Sequence, residues 1–161
     1  MKTRIVFYLP LTIATVLTLA ALAHAQLAKK PQRVEDAVLA RLGEIENAAE
    51  KLDSEKVFSF VLENNHGALV QNGRIFLTRT DALENTKQGF QRLEKVHYAL
   101  GPQHVTMLAP TVALVIGQGA SEATTLDGRT LTTQFAQSVV LVQTNGEWKV
   151  IHAHRSFSSA R

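Results

Sequence analysis

The chain has 161 residues, with 17 Lys and Arg against 14 Asp and Glu, a formal net charge of +3, and no cysteine. Without cysteine, neither disulfides nor thiolate chemistry can contribute. No basic patch is interleaved with aromatic residues, so nucleic acid is excluded as the expected partner.

Residues 1–25 read as an export signal. Lys2 and Arg4 open the chain, Ile5 to Ala21 is mostly apolar, and Ala23-His24-Ala25 has the small-x-small form that signal peptidase reads. The apolar run sits at the lower limit for a membrane span, and Pro10 interrupts it. The competing reading is an uncleaved anchor. Cleavage after Ala25 would remove only Lys2 and Arg4 among the charged residues, so the net charge falls from +3 to about +1. The mature chain would start at Gln26 in the periplasm or outside the cell, with no membrane association. Residues 26–33 are a polar lead-in carrying Pro31, and 34–158 suffice for one domain with its own core.

Val34, Val38, Leu42, Ile45, Ala49 and Leu52 follow the three-to-four spacing of a helix with one buried stripe. Asp53 and Ser54 offer a break and a new N-cap. Val57, Phe58, Val61 and Leu62 continue a second helix that Asn64-Asn65-His66-Gly67 should end. A hairpin is expected next, Ala68–Val70 and Ile75–Leu77 flanking the type I′ turn signal Asn72-Gly73. A third helix starts at Thr80-Asp81, its buried side formed by Leu83, Phe90 and Leu93. From about Lys95 the chain is β-rich: Val96–Leu100, Val105–Leu108, Val112–Thr125, Leu131–Gln143 and Trp148–Phe157. The separators Gly101-Pro102, Ala109-Pro110, Asp127-Gly128 and Asn145-Gly146 read as turns. Gly117 and Gly119 mark where a long strand would bend. The fold class is α+β, a curved antiparallel sheet with helices on one face.

The closing run WKVIHAHRSF after Asn145-Gly146, with TRTDALENTKQGF over Thr78–Phe90, resembles the SnoaL-like branch of the nuclear transport factor 2-like superfamily. The resemblance spans residues 34–157. It implies a cystatin-like cone in which a curled sheet wraps three N-terminal helices and leaves a pocket. The association domain of calmodulin-dependent kinase closes with a similar His-x-His-Arg-Ser run, and that resemblance implies that Arg155 points into the pocket. The aspartates and tyrosine of the superfamily's steroid isomerases have no residue-by-residue match here. The superfamily holds isomerases, dehydratases, cyclases and non-catalytic domains, so the resemblance implies a pocket and no particular reaction.

Two-residue loops at Asp127-Gly128 and Asn145-Gly146 would set the strand register. Ser121 then opposes Gln134, Gly117 opposes Ser138, and Ala136 opposes Arg155. One face carries small residues with Gln134, Ser138 and Arg155; the other carries Phe135, Gln137, Trp148, His152 and His154. A bulge would flip part of this assignment. The second face is large and mixed, so a second copy of the sheet should cover it, and Trp148, His152, His154, Gln137 and Phe135 are the candidate contacts of a homodimer. His152 and His154 could share a metal only with a further ligand, and Glu122 is the sole acid on that face; no metal and no cofactor are expected.

Arg155 on a small-residue face demands a carboxylate or an anionic ligand. Glu35, Glu46 or Glu63 could supply the carboxylate. The functional reading is capture of a small, carboxylate-like anion, with Tyr98, Gln134, Ser138 and His104 as pocket neighbours. Two alternatives stand beside it. One is an isomerase, dehydratase or hydrolase using His104 or Tyr98 for acid–base work; the other is a structural dimerisation module with a filled interior.

Overall fold

The computed structural model describes residues 34–63 and 67–158. The chain divides into two compact units, Met1–Asp36 and Ala37–Arg161, and the sheet and its cavity belong to the second. The expected export signal over 1–25, the lead-in over 26–33 and residues Asn64, Asn65 and His66 lie outside the described residues. Among the described residues no helix is long and apolar enough to cross a membrane.

Helix α1 covers residues 34–50, and its expected stripe is real: Val38 and Ala48 are buried, while Leu42, Ile45 and Ala49 line a cavity. It ends in a Schellman-type turn. The Leu52 N–H donates to the Ala49 carbonyl (2.9 Å) and the Asp53 N–H to the Ala48 carbonyl (3.0 Å). Leu52 takes the left-handed conformation (φ 57°) that glycine usually supplies there. Asp53 then caps α2 (Ser54–Ser59) by accepting from the Lys56 N–H. This second helix is shorter than the apolar spacing implied. Phe60 and Leu62 instead exchange backbone hydrogen bonds with Val150, and Val61 forms a parallel bridge to it.

Strands β1 (Leu69–Gln71) and β2 (Arg74–Phe76) form the expected hairpin, with Asn72 and Gly73 both at positive φ (54° and 70°). Helix α3 (Arg79–Phe90) is capped by Thr78, not Thr80: the Thr78 hydroxyl accepts from the Asp81 N–H at 3.0 Å. Phe58, Ala68, Phe76 and Ala82 form a buried cluster joining α2, α3 and the hairpin.

Four long strands follow: β3 (Leu93–Ala109), β4 (Val112–Thr125), β5 (Thr130–Thr144) and β6 (Glu147–Phe157). Gly101-Pro102 does not separate two strands. It lies in a bulge where the β3 register shifts between Leu100 and Gln103, a place where a proline without an N–H costs no ladder bond. The six-stranded sheet has the order β2-β1-β6-β5-β4-β3, antiparallel except that β1 runs parallel to β6. The architecture is therefore the expected α+β one, a curved sheet with the helices on its inner face.

The register departs from expectation twice. Thr124 pairs with Thr130, Ser121 with Thr133 and Gly117 with Gln137, one step from the two-residue-loop pairing. The loop spans three residues, Leu126 to Gly128: the Gly128 N–H returns to the Thr125 carbonyl, the Thr125 N–H bonds the Arg129 carbonyl, and Gly128 has φ 82°. A type I turn closed by a left-handed glycine has this form. It flips every β5 side chain relative to β4. The second departure is a bulge between Val140 and Leu141, opposite Ile151. Beyond the two-residue Asn145-Gly146 loop Gln143 pairs with Trp148 and Leu141 with Val150, but Val139 pairs with Ala153 and Gln137 with Arg155. Together the two offsets shift β6 by two residues against β4, which restores the side-chain parity between them.

The inner face therefore carries Ala113, Val115, Gly117 and Gly119 from β4, Phe135, Gln137, Val139 and Leu141 from β5, and Trp148, Val150, Ala153 and Arg155 from β6. Burial agrees: Leu141 and Ala113 are 0 % exposed, Val115 1 %, and Phe135 and Trp148 4 % each. A Cβ on Gly119 would lie 2.8 Å from the Ala99 carbonyl oxygen and 3.0 Å from the Phe135 ring, so glycine is what lets that ring lie against the sheet.

Candidate functional site

Between α1, α2, α3 and the inner face of the sheet lies a cavity of about 340 Å³. Small-molecule sites start at roughly 300 Å³. Its walls are mainly apolar, from Leu42, Ile45, Val57, Phe58, Phe90, Leu100, Val139 and Val150. Polar groups gather at one stretch of the wall. β1, β5 and β6 supply Gln71, Gln137 and Arg155, neighbours across three strands; β3 adds Tyr98 and α1 adds Glu46.

Arg155 is held from two directions. Its Nη2 donates to Gln137 Oε1 at 2.7 Å, and its guanidinium carbon lies 4.4 Å from the Phe135 ring centroid and 5.6 Å from that of Tyr98. Tyr98 and Phe135 meet edge to face, so the two rings form a single aromatic wall behind the cation. Stacking of this kind contributes about 0.5–2 kcal/mol and fixes the plane of the guanidinium. Among the described residues no carboxylate lies within 4.0 Å of Arg155. The expected structural partners take other positions. Glu63 sits 3.6 Å from Arg79, and Glu46 lines the cavity without an ion pair among the described residues. Glu35 likewise forms none with Arg155.

One turn along α1 from Glu46, Glu50 is committed elsewhere. Its Oε1 accepts from the Tyr98 N–H (2.8 Å) and lies 2.7 Å from His97 Nδ1. This pins α1 to β3 beside the cavity. Burial, and next the Glu50 charge, push the Glu46 carboxyl above its ordinary range; Arg155 and His97 pull it the other way. The cavity thus holds one oriented cation and one desolvated carboxyl on opposite elements. Among the described residues no cluster of three or more His, Asp or Glu could hold a metal ion.

The model of the SnoaL-like domain matches residues 38–160, three quarters of the sequence. The chain belongs to the SnoaL-like domain family. No curated protein matches it. Among solved structures, a nuclear transport factor 2-like superfamily protein from Salmonella enterica serovar Typhimurium superposes with TM-score 0.73 at 16 % identity, covering 81 % of this chain and 94 % of that one. A provisionally assigned dehydratase of the same superfamily from Streptomyces avermitilis gives 0.72 at 17 % identity, with 81 % and 99 % covered. A provisionally assigned calcium/calmodulin-dependent protein kinase II association domain from Xanthomonas campestris gives 0.67 at 18 % identity, with 75 % and 85 % covered. At such identities these likenesses establish the nuclear transport factor 2-like fold alone.

Within this SnoaL-like domain the candidate residues sort as follows. Arg155 and Tyr98 both line the cavity. Gln134 and Ser138 do not: Gln134 is exposed opposite Ala120, and Ser138 pairs with Ile116 and His154 on the outer face. His104 is exposed opposite Ile116, also outside. For Gln134 and Ser138 the three-residue loop at Leu126–Gly128 is the reason, since it exchanged the β5 faces; His104 is outside through its own β3 pairing with Ile116. The same loop puts Phe135 and Gln137 inside, together with Trp148, which pairs with Gln143 ahead of the bulge; the bulge at Ile151 then returns Ala153 and Arg155 to that face. Phe135, Gln137 and Trp148 are therefore not available to a convex interface. His154 is exposed, while His152 donates from Nδ1 to the Gly67 carbonyl at 2.8 Å, tying β6 to the entrance of β1.

Gln137 is the site residue that sequence reasoning misplaced; Glu46, expected as a carboxylate partner for Arg155, lines the same cavity without that ion pair. A usable signal existed for Gln137. Phe135, Val139 and Leu141 are large and apolar at odd positions, whereas Gln134, Ala136 and Ser138 are small or polar at even ones. That alternation alone assigns the odd set, Gln137 included, to the core.

Proposed function

We propose that this SnoaL-like domain binds a small anionic molecule in its cone, with Arg155 as the anchor. The observation that carries the reading is a guanidinium inside a mainly apolar cavity, oriented by Gln137 and two rings, with no carboxylate within ion-pairing distance among the described residues. Arg155 is half-buried, and taking such a cation even partly out of water without an anion is costly, so the fold bears that cost where an anion is to be received. Gln137 accepts from Nη2 and leaves further N–H groups of the planar fork for a two-oxygen ligand. Residues 1–25 support export, and the mature protein would work in the periplasm or outside the cell. The outer face supports a homodimer, since Ile116 is 48 % exposed beside His104, Ser138 and His154.

Native mass spectrometry of the purified full chain, compared with Arg155→Leu, tests the anchor. The expected result is a bound small molecule on the wild type that the variant has lost while its melting temperature stays within a few degrees. Equal occupancy in both defeats the reading.

A second reading is favoured by Tyr98, a titratable hydroxyl lining the same cavity, and by provisional dehydratases among the structural neighbours. In that reading Arg155 orients the substrate and Tyr98 exchanges a proton with it. His104 has no part, being outside the cavity.

A further inference from the structure

The cavity holds a second group that the anchor alone does not explain. Glu46 projects from α1 into the space lined by Arg155, yet forms no hydrogen bond or ion pair among the described residues. Its neighbour Glu50 is engaged through Oε1 by His97 and the Tyr98 N–H and is not among the residues lining the cavity. Arg155 is held on the sheet by Gln137 and the Phe135 ring, and among the described residues it makes no ion pair within 4.0 Å with Glu46. The two groups therefore stand apart across a space that neither fills.

We propose that Glu46 is a second ligand-recognising residue, and that the cavity takes an apolar monocarboxylate together with one proton, the Glu46 carboxylic acid donating a hydrogen bond to the anion that Arg155 binds. The proposal rests on the reading of Arg155 as an anion anchor and adds the ligand's class and its protonation partner.

The physical sequence is short. A carboxylate entering between Arg155 and α1 neutralises the one cation that favours an ionised Glu46 from within the cavity. It also places a second negative charge near Glu46 and strips the carboxyl of remaining water. Each change favours the protonated form, which alone can donate to an anion. The charged and titratable groups around Glu46 are Glu50 on its own helix, His97 and Tyr98 on β3, and Arg155 on β6. Burial and Glu50 push Glu46 in the same direction, toward protonation. The apolar remainder of the wall, Leu42, Ile45, Phe58 and Phe90 among it, suits a hydrocarbon or aromatic body and gives a second charge no partner.

The rival occupant is a zwitterion, whose ammonium an ionised Glu46 would receive. Two probes that differ by that ammonium decide between them: 3-phenylpropanoate and phenylalanine. Titration calorimetry of the full chain with each, in buffers of different ionisation enthalpy, reads affinity and proton uptake together. The expected result is 3-phenylpropanoate binding at least tenfold tighter than phenylalanine, with uptake on the order of one proton per ligand. In Glu46→Gln, whose amide still donates, binding should persist with the uptake gone.

Tighter binding of phenylalanine, absence of uptake in the wild type, or undiminished uptake in Glu46→Gln overturns the proposal. Binding of 3-phenylpropanoate that survives Arg155→Leu with proton uptake intact overturns the anchor and leaves the role of Glu46 standing. Failure of the wild type to bind either probe at millimolar concentration overturns both.

Discussion

Arg155 and Glu46 show how one residue's surroundings set its task. The arginine sits in an aromatic and amide cradle that fixes its plane, whereas Glu46 has the cavity itself as its neighbour. A carboxyl raised by burial and by a like charge has a defined sign for stability. Its folded-state pKa lies above the unfolded value, so the folded state is favoured by its protonation. That contribution is fully present below the unfolded pKa and is lost as pH rises through the folded one. Glu46→Gln should therefore raise the melting temperature at pH 8, and the gain should shrink toward zero at pH 4. Thermal unfolding by circular dichroism at the two pH values checks this; an equal effect at both would mean that the carboxyl is not desolvated. A stabilising loss of a cavity carboxyl is the mark of a residue kept for function.

At the scale of elements, two short features decide the inner face: the three-residue loop at Leu126–Gly128 and the bulge at Ile151. Either alone would put Arg155 on the opposite side from Ala113 and Val115, since a single-residue slip reverses every side chain of a strand. Arg155 was legible as inward because these two offsets add to an even shift that preserves parity, not because the intermediate pairings were right. The helices were more legible, because their signals are local. Asp53 caps α2 where expected, and the Thr78–Phe90 segment is the third helix, with the cap two residues earlier than Thr80. Thr78→Ala removes the hydroxyl that receives the Asp81 N–H and should cost about 1 kcal/mol in chemical denaturation. Leu141→Ala, at a fully buried site near the C-terminal end of β5, should cost about 2–5 kcal/mol in the same measurement. A loss below 1 kcal/mol at Leu141 would contradict the β5 parity.

For the whole molecule the open question is what lies against the outer face of the sheet. Phe135, Gln137 and Trp148 have left that face, and what remains is thinner and more polar: Ile116 with His104, Ser138 and His154. If two copies pair there, Ile116→Glu places a carboxylate in a desolvated contact with no partner and should separate them. Sedimentation velocity at tens of micromolar should then show a dimer for the wild type and a monomer for the variant. A wild-type monomer at that concentration defeats the homodimer.

By itself the sequence determined the elements and their order, the α+β class, the hairpin at Asn72-Gly73 and the placement of a cation near a pocket. Each follows from local periodicity, from turn chemistry or, for the pocket, from a resemblance in the last strand. Tertiary structure alone decided the β4–β5–β6 register, that Gly101-Pro102 is a bulge in one long strand, that β1 docks in parallel on β6, and that Glu46 lines the cavity with Arg155 while Glu50 does not. The reason is physical. A loop of two or three residues, or one extra residue in a strand, costs little locally, so many sequences fit either. The core then selects the register that buries Phe135, Leu141, Trp148 and Val150 together.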